Sequence, residues 1–330
     1  MGRLFGRFAS SVPFWFVVVF ILSTLTGTAI FVFAEKVSSD PKPANVFEEL
    51  LHILEKDWLY PLNRQEIYNC VMARVVNEVQ LHPKEEIILP SCFQQDKYIS
   101  LSQPPHVMEE IIPVRFRMEA TPSGIPDVSF GSISLGKIIP QQKNVNEYFT
   151  PLFQRMHESG VSGYVIDLAD NIGGFAEGAA VFLHNLVSVP KHTERLLFEI
   201  KGKNSTIFER HVATKSGPAA DACISILVNS NTASAAEIIA LYLQRYQHAF
   251  VVGTPTYNKW LAQGRRPLSD GSTLRFTLGQ VYFEHNNTNN GLGVIPDFIT
   301  NDPHTRLEKA MEYLRECHAK KETAHITAQK

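Results

Sequence analysis

This chain has almost no excess of positive over negative side chains, or the reverse. Its 31 Lys and Arg side chains nearly cancel 33 Asp and Glu, leaving a net charge of −2 over 330 residues. A nucleic-acid binder that relies on bulk electrostatic attraction needs a basic excess, so no nucleic-acid partner is expected. Glycine and proline stand at an ordinary nineteen each, which excludes collagen-like and low-complexity architectures. Cysteine is scarce. Cys70, Cys92, Cys223 and Cys317 show no CxxC spacing and no paired histidines, so neither a zinc site nor any other metal is expected. Their three full pairings stay open. The twelve histidines are scattered, and none has a ligand-like partner one helical turn away, so none is assigned to catalysis. Also absent are GxSxG, HExxH, the Walker loop and GxGxxG, which removes the usual hydrolase elbow, the zinc-protease helix and the phosphate-cradling loops. No cofactor and no internal repeat are expected.

What the chain does have is 44% apolar and 10% aromatic residues, enough for a packed core and incompatible with a wholly disordered chain. The length accommodates one large domain or two smaller ones. No charge occurs between Arg7 and Glu35. The apolar stretch 12–34 would reach about 34 Å as a helix, enough to cross a bilayer core. Arg3 and Arg7 precede it, which orients the segment with its N-terminus on the cytoplasmic side. Residues 1–35 are therefore expected to be a transmembrane anchor, with the rest outside the cytoplasm, periplasmic or extracellular. Val32-Phe33-Ala34 also reads as a weak signal cleavage site, so a secreted form cleaved after Ala34 remains the alternative.

Residues 36–44 are polar and proline-containing, a linker. Val46, Leu50, Leu51 and Leu54 recur at helical spacing up to Trp58, and Ile67, Val71, Val75 and Val79 form a second helical stripe after Pro61 and Asn63. Residues 82–125 show no clear period and receive no element. From Val128 strands and helices alternate. Strands are expected at 128–135, 163–168, 223–228 and 249–252, helices at 145–159, 176–187 and 235–247. Hairpins are expected from 196–201 with 208–213 and from 266–268 with 273–277, the second turning at Asp270-Gly271. Asp302-Pro303 starts a last helix carrying Leu307, Met311 and Leu314, and residues 318–330 read as a solvated tail. Such alternation implies an α/β fold with a mostly parallel sheet flanked by helices.

Three segments carry chemistry. The apolar run Ile224–Val228 ends in small polar residues before a helix, which places Ser234 at a helix N-terminus. Unpaired N–H groups and the helix dipole favour a developing alkoxide there, although a plain serine N-cap has the same sequence. Lys259 stands between Tyr257 and Trp260. Desolvation by such neighbours lowers a lysine's pKa and leaves an amine that can act as the base a serine hydroxyl needs. A surface charge is the ordinary reading of a lone lysine. The strand end Asp167-Leu168-Ala169-Asp170-Asn171-Ile172-Gly173-Gly174 brings two glycines whose N–H groups are free to point into a site, or simply to make a tight turn.

In order along the chain, D-L-x-x-N-x-G-G (Asp167–Gly174), S-A-x-E-I (Ser234–Ile238), V-G-x-x-T-Y-x-K (Val252–Lys259), P-L-S-D-G-S (Pro267–Ser272) and G-V-x-P-D (Gly293–Asp297) resemble the C-terminal processing peptidases, or tail-specific proteases, of the S41 serine peptidase family. The resemblance spans roughly residues 128–315 and implies a peptidase core at 128–302 and a C-terminal helix and tail at 303–330. It also implies an N-terminal helical region within 36–127, where the stretch 82–127 is too short for the family's PDZ domain. By position, Ser234 corresponds to the nucleophile, Lys259 to the general base and Gln263 to the glutamine that orients it. Ala235 and one of Gly173 and Gly174 correspond to the oxyanion-hole N–H donors. The implied activity is membrane-anchored, extracytoplasmic endoproteolysis of protein or peptide substrates bound in extended form, through a Ser/Lys dyad and an acyl-enzyme, with the membrane engaged by residues 12–34. The chain departs from the family at Ala169 and Ile172, where Arg and Pro are usual, and at Trp260, where Gly is usual. Those departures motivate the alternative of an inactive homologue that binds peptides as a scaffold.

Overall fold

A computed structural model describes residues 18–24, 27–33, 43–61, 63, 64, 67, 87–88, 100–102, 114–120, 129–135 and 145–328 except 270 and 290. The chain divides into two units. One comprises Met1–Lys56, Leu62–Pro105 and Arg265–Arg275, the other Asp57–Pro61, His106–Gly264 and Phe276–Lys330.

In the first unit, β1 (Val18–Thr24) and β2 (Gly27–Phe33) pair antiparallel, from Val18 opposite Phe33 to Thr24 opposite Gly27. This corrects the expected transmembrane helix. Among the described residues no helix is long and apolar enough to cross a membrane. Counting apolar length alone does not separate helix from strand. Here Val, Ile, Phe and Thr dominate both segments, stiff or bulky side chains that suit a pleated strand better than a helix, and a glycine interrupts the run. Helix α1 (Pro43–Asp57) agrees with the expected periodicity and buries Leu50, Leu51 and Leu54 on one stripe, while Glu48 and Glu55 hold Arg64. The second helical stripe lies largely outside the described residues. The stretch assigned no element contains β3 (Ile87–Ile88), β4 (Ser100–Ser102) and β5 (Val114–Ala120), so the region before the core is helical only in part. β3 pairs with β4, and β4 with the first three residues of β13 (Thr273–Tyr282).

The second unit holds the α/β core. Its main sheet runs β14 (Phe298–Ile299), β11 (Phe250–Gly253), β10 (Cys223–Val228), β7 (Val161–Asp167), β6 (Ser129–Leu135), β5. Every neighbour is parallel except β5, which lies antiparallel on β6. All six residues of β10 are buried, as the continuous apolar run of a central parallel strand requires. Its side chains alternate between two layers. Ile224, Ile226 and Val228 pack with α2 (Val145–Glu158), α3 (Ala176–His184) and α4 (Ala235–Gln247). Cys223 and Leu227 face Ala310 and Leu314 of α5 (Pro303–Ala328). Each fully buried Ile or Leu in these layers contributes roughly 2 kcal/mol.

Two devices clamp α5 to the sheet, the Cys223–Cys317 disulfide and a buried Ser225 Oγ–H bond to the Ala310 carbonyl at 2.9 Å, and the Tyr313 hydroxyl ties it to the end of α4 through the His248 carbonyl at 2.8 Å. Cys70 and Cys92 lie outside the described residues. The expected tail is instead helix as far as Ala328. It is rich in Ala, Lys and Glu, with Glu316–Lys320 and His318–Glu322 at i,i+4 and Lys321 reaching the Asp221 carbonyl. β8 (Arg195–Lys201) and β9 (Ile207–Ala213) form the expected hairpin. β8 also pairs with the end of β13, which β12 (Leu261–Pro267) joins on its other side.

Candidate functional site

β7 and β10 are parallel neighbours with Asp167 opposite Leu227, so the loops that follow them leave the same edge of the sheet side by side. In open α/β sheets this carboxyl edge is where sites form. Polar side chains lock the two loops together. Asp170 accepts from Asn229 Nδ2 and Asn231 Nδ2, both at 2.8 Å, and its own N–H donates to Asn229 Oδ1. These amides, Asn231 first, hold the Asp170 carboxyl below the usual carboxylate range. The Thr232 hydroxyl donates to the Leu168 carbonyl across the gap. Asp167, by contrast, is pushed up by burial, an effect opposed by the Ala169 N–H and by the positive charge of Arg306.

Ser234 sits at the N-terminus of α4 with φ 57° and ψ −123°, a left-handed backbone that a non-glycine residue adopts only when its surroundings impose it. Gly173 supplies part of that surrounding. A Cβ at Gly173 would lie 2.5 Å from the Ala233 carbonyl, 2.7 Å from Ser234 Cβ and 2.8 Å from the Ala235 nitrogen, and its own φ is +90°. Only glycine fits. Buried Asn171 fixes the turn: its Nδ2 donates to the Leu135 carbonyl, its carbonyl accepts from Ala233 N–H, and its Oδ1 accepts the Gly173 N–H at 2.8 Å. The Gly173 donor is thus spent inside the turn. Among the described residues, neither Gly174 N–H nor Ala235 N–H has a protein acceptor.

The third segment follows β11. Its link to Ser234 runs through Glu237, which is completely buried. One carboxylate oxygen, Oε2, accepts from Ser234 N–H at 2.9 Å and from Lys259 N–H at 2.7 Å. The other, Oε1, accepts from Asn258 N–H at 2.7 Å and from the Thr256 hydroxyl at 2.5 Å. Four donors converging on two oxygens suit a carboxylate, which only accepts. This arrangement sets the backbones of Ser234 and Lys259 beside each other although 25 residues separate them. Sequence reasoning gave Glu237 no role. Its signal was present as the S-x-x-E spacing of a capping box, with glutamate three residues into the helix reaching back to the cap N–H. Nothing local foretold its two further backbone partners.

Lys259 Nζ donates to Gln263 Oε1 at 3.0 Å, the contact expected of i and i+4 side chains where the loop enters β12. Of the expected aromatic neighbours, Tyr257 is exposed. Trp260 is buried with its edge against Phe283 and its Nε1–H on the Leu292 carbonyl. The bulk that departs from the resembled pattern is therefore absorbed by the core. Ile172, the departure in the turn, points to solvent. Among the described residues no group of His, Cys, Asp or Glu is arranged to hold a metal ion.

Residues 129–300 match Peptidase family S41. A carboxyl-terminal-processing protease of Synechocystis sp. is 32% identical over 173 residues, covering 52% of this chain and 39% of that protein. The chloroplastic carboxyl-terminal-processing peptidase 1 of Arabidopsis thaliana is 31% identical over 192 residues, covering 56% and 36%. The chain thus spans less than half the length of these curated relatives. Among solved structures, a lipoprotein from Streptococcus agalactiae superposes with a TM-score of 0.60 over 86% of this chain and 99% of that one. At 17% identity it shares the fold alone.

Proposed function

Because the chain belongs to peptidase family S41, we propose that it is a serine endopeptidase in which Ser234 is the nucleophile and Lys259 the general base. The observation that carries this reading is the Glu237 carboxylate, one oxygen of which accepts from the backbone N–H of both residues. The amine of Lys259 takes the Ser234 hydroxyl proton as Oγ bonds to the substrate carbonyl carbon. Gln263 Oε1 holds one Nζ–H and so limits where the amine's lone pair can point. The tetrahedral oxyanion receives Ala235 N–H and Gly174 N–H, the donors left without protein acceptors; Gly173 shapes the turn without donating. Lys259 then returns the proton to the leaving amine. Water, deprotonated by the same base, releases the acyl group from Ser234.

Ser234→Ala and Lys259→Ala should each abolish cleavage of an unfolded test protein while leaving the melting temperature within a few degrees. A serine-reactive probe should label the wild type and not Ser234→Ala. Full proteolysis by Ser234→Ala would overturn the assignment, and no labelling or cleavage by the wild type at any pH would favour the peptide-binding scaffold. We further propose that the catalytic unit lies outside the cytoplasm. Supporting that location is the Cys223–Cys317 disulfide, a bond at home in oxidising compartments. Finding both thiols reduced in protein trapped by alkylation in the native host would refute it.

A further inference from the structure

A cavity of about 590 Å³ opens beside the Gly173-Gly174 turn, between α3 and β9. Its volume falls within the roughly 300–1,000 Å³ typical of ligand pockets. Phe175, at its wall, is two residues beyond the glycine that touches Ser234. Two residues extend at most about 7 Å, so the cavity mouth lies within reach of a substrate residue next to or near the scissile bond.

Three consecutive residues of β9, Glu209, Arg210 and His211, line it. Alternate side chains of a strand face opposite sides of its sheet, so three in a row meet one cavity where it runs along the strand's edge. β9 is indeed an edge strand, paired only with β8 among the described strands. An extended peptide lying along that edge would direct a side chain into the cavity.

The lining decides which side chain. Arg210 is already committed to Glu194 at 2.9 Å and Glu199 at 3.2 Å, and these carboxylates raise its pKa above the ordinary arginine value. His211 Nε2 lies 2.9 Å from Glu209 Oε2, and His184 Nε2 donates to the Val212 carbonyl at 2.9 Å. Glu177, in the first turn of α3, has no hydrogen-bond or ion-pair partner among the described residues. The cavity thus offers one uncommitted carboxylate and a second shared with a histidine, against a guanidinium already satisfied, above a floor made by the apolar face of α3.

We infer that this cavity is a specificity subsite that accepts the basic side chain, lysine or arginine, of a residue near the cleaved bond. The aliphatic stem would lie along the α3 face with its charge at Glu177. The inference rests on the proposed peptidase reading for its place beside Ser234, and the experiment separates the two.

Fluorescent peptides identical except for one lysine, moved through each position around the scissile bond, are titrated against Ser234→Ala protein, with methionine in its place as reference. Lysine at one position should tighten binding three- to tenfold, the gain shrinking as salt is raised. Glu177→Gln should erase that gain, and Glu177→Lys should transfer the preference to glutamate at the same position. No preferred position, or a preference that survives Glu177→Gln, overturns the subsite. Wild-type turnover of the same peptides is measured in parallel. Cleavage with no lysine preference in binding or turnover sinks the subsite and leaves the peptidase standing. Lysine-dependent binding without cleavage does the reverse.

Discussion

Replacing Glu237 by glutamine keeps its size and removes its charge, and the cost can be worked out from four hydrogen bonds. Ser234 N–H and Lys259 N–H share Oε2, while Asn258 N–H and the Thr256 hydroxyl share Oε1. A carboxamide has one oxygen, so its NH₂ must face one of these pairs. Turned toward Oε2's partners, it leaves two backbone N–H groups without an acceptor. Turned the other way, it orphans only Asn258 N–H, because the hydroxyl of Thr256 can rotate and accept while still receiving the Val294 N–H. The cheaper arrangement loses one charge-assisted bond, about 1.5–3 kcal/mol, and strands one N–H in a buried site, about 1–3 kcal/mol. The bonds that survive are weakened because the acceptor is neutral. About 3–5 kcal/mol is the expected loss, a large part of the 5–15 kcal/mol that holds a typical domain. At roughly 2–4 °C per kcal/mol, the melting temperature should fall by about 10 °C. Thermal and urea denaturation of wild type and Glu237→Gln measure this. Turnover, assayed where the variant is still folded, should fall at least tenfold, because Asn258, the residue before Lys259, loses its anchor and a neutral oxygen holds the Ser234 and Lys259 N–H groups more weakly. A variant that melts within about 2 °C of wild type and cleaves at the same rate would refute the role given to Glu237.

Gly173→Ala forces a methyl group onto the Ala233 and Ala235 backbone at a φ of +90°, so it should abolish turnover even in protein that still folds, as judged by circular dichroism. Thr256→Val removes one bond to Glu237 and the acceptor for Val294 N–H, so a loss of about 1–3 kcal/mol in urea denaturation is expected. The Cys223–Cys317 bridge closes a loop across a separation of 94 residues, and its reduction, or Cys317→Ala, should cost up to about 4–5 kcal/mol by loop-closure entropy. Asp167 is pushed up by burial, so the folded state binds its proton more tightly than the unfolded chain does. Its ionisation therefore subtracts stability as pH rises from about 4 through the folded value. Asp167→Asn keeps an acceptor for Ala169 N–H. It should melt above wild type at pH 7, with the difference vanishing below about pH 4.

Local rules were sufficient for much of the fold. The continuous apolar run 223–228 became β10, the period from 235 became α4, and the pairing of 195–201 with 207–213 followed from two short apolar runs around a polar turn. The i+4 spacing of Lys259 and Gln263 likewise announced their contact. In each case the signal is carried by residues that are neighbours along the chain, so the pattern of the segment contains the answer. Where neighbours did not settle the question, the reading failed. Apolar length at 12–34 suggested a helix where two strands pair, and the polar end of the chain, read as a tail, continues as helix to Ala328.

Tertiary structure decided the rest, because each remaining feature joins residues far apart in sequence. Folding brings Glu237 to Thr256, Asn258 and Lys259, Asp170 to Asn229 and Asn231, and Cys223 to Cys317. It also separates two glycines that are equivalent in the sequence. Asn171 takes the N–H of Gly173 and leaves that of Gly174 open, a difference of one hydrogen bond that exists only once the turn has closed. The residue types suited to nucleophile, base and oxyanion donor were readable from their order along the chain. Their convergence depends on a parallel sheet that delivers two loops to one edge and on a buried carboxylate that fastens the third segment to them.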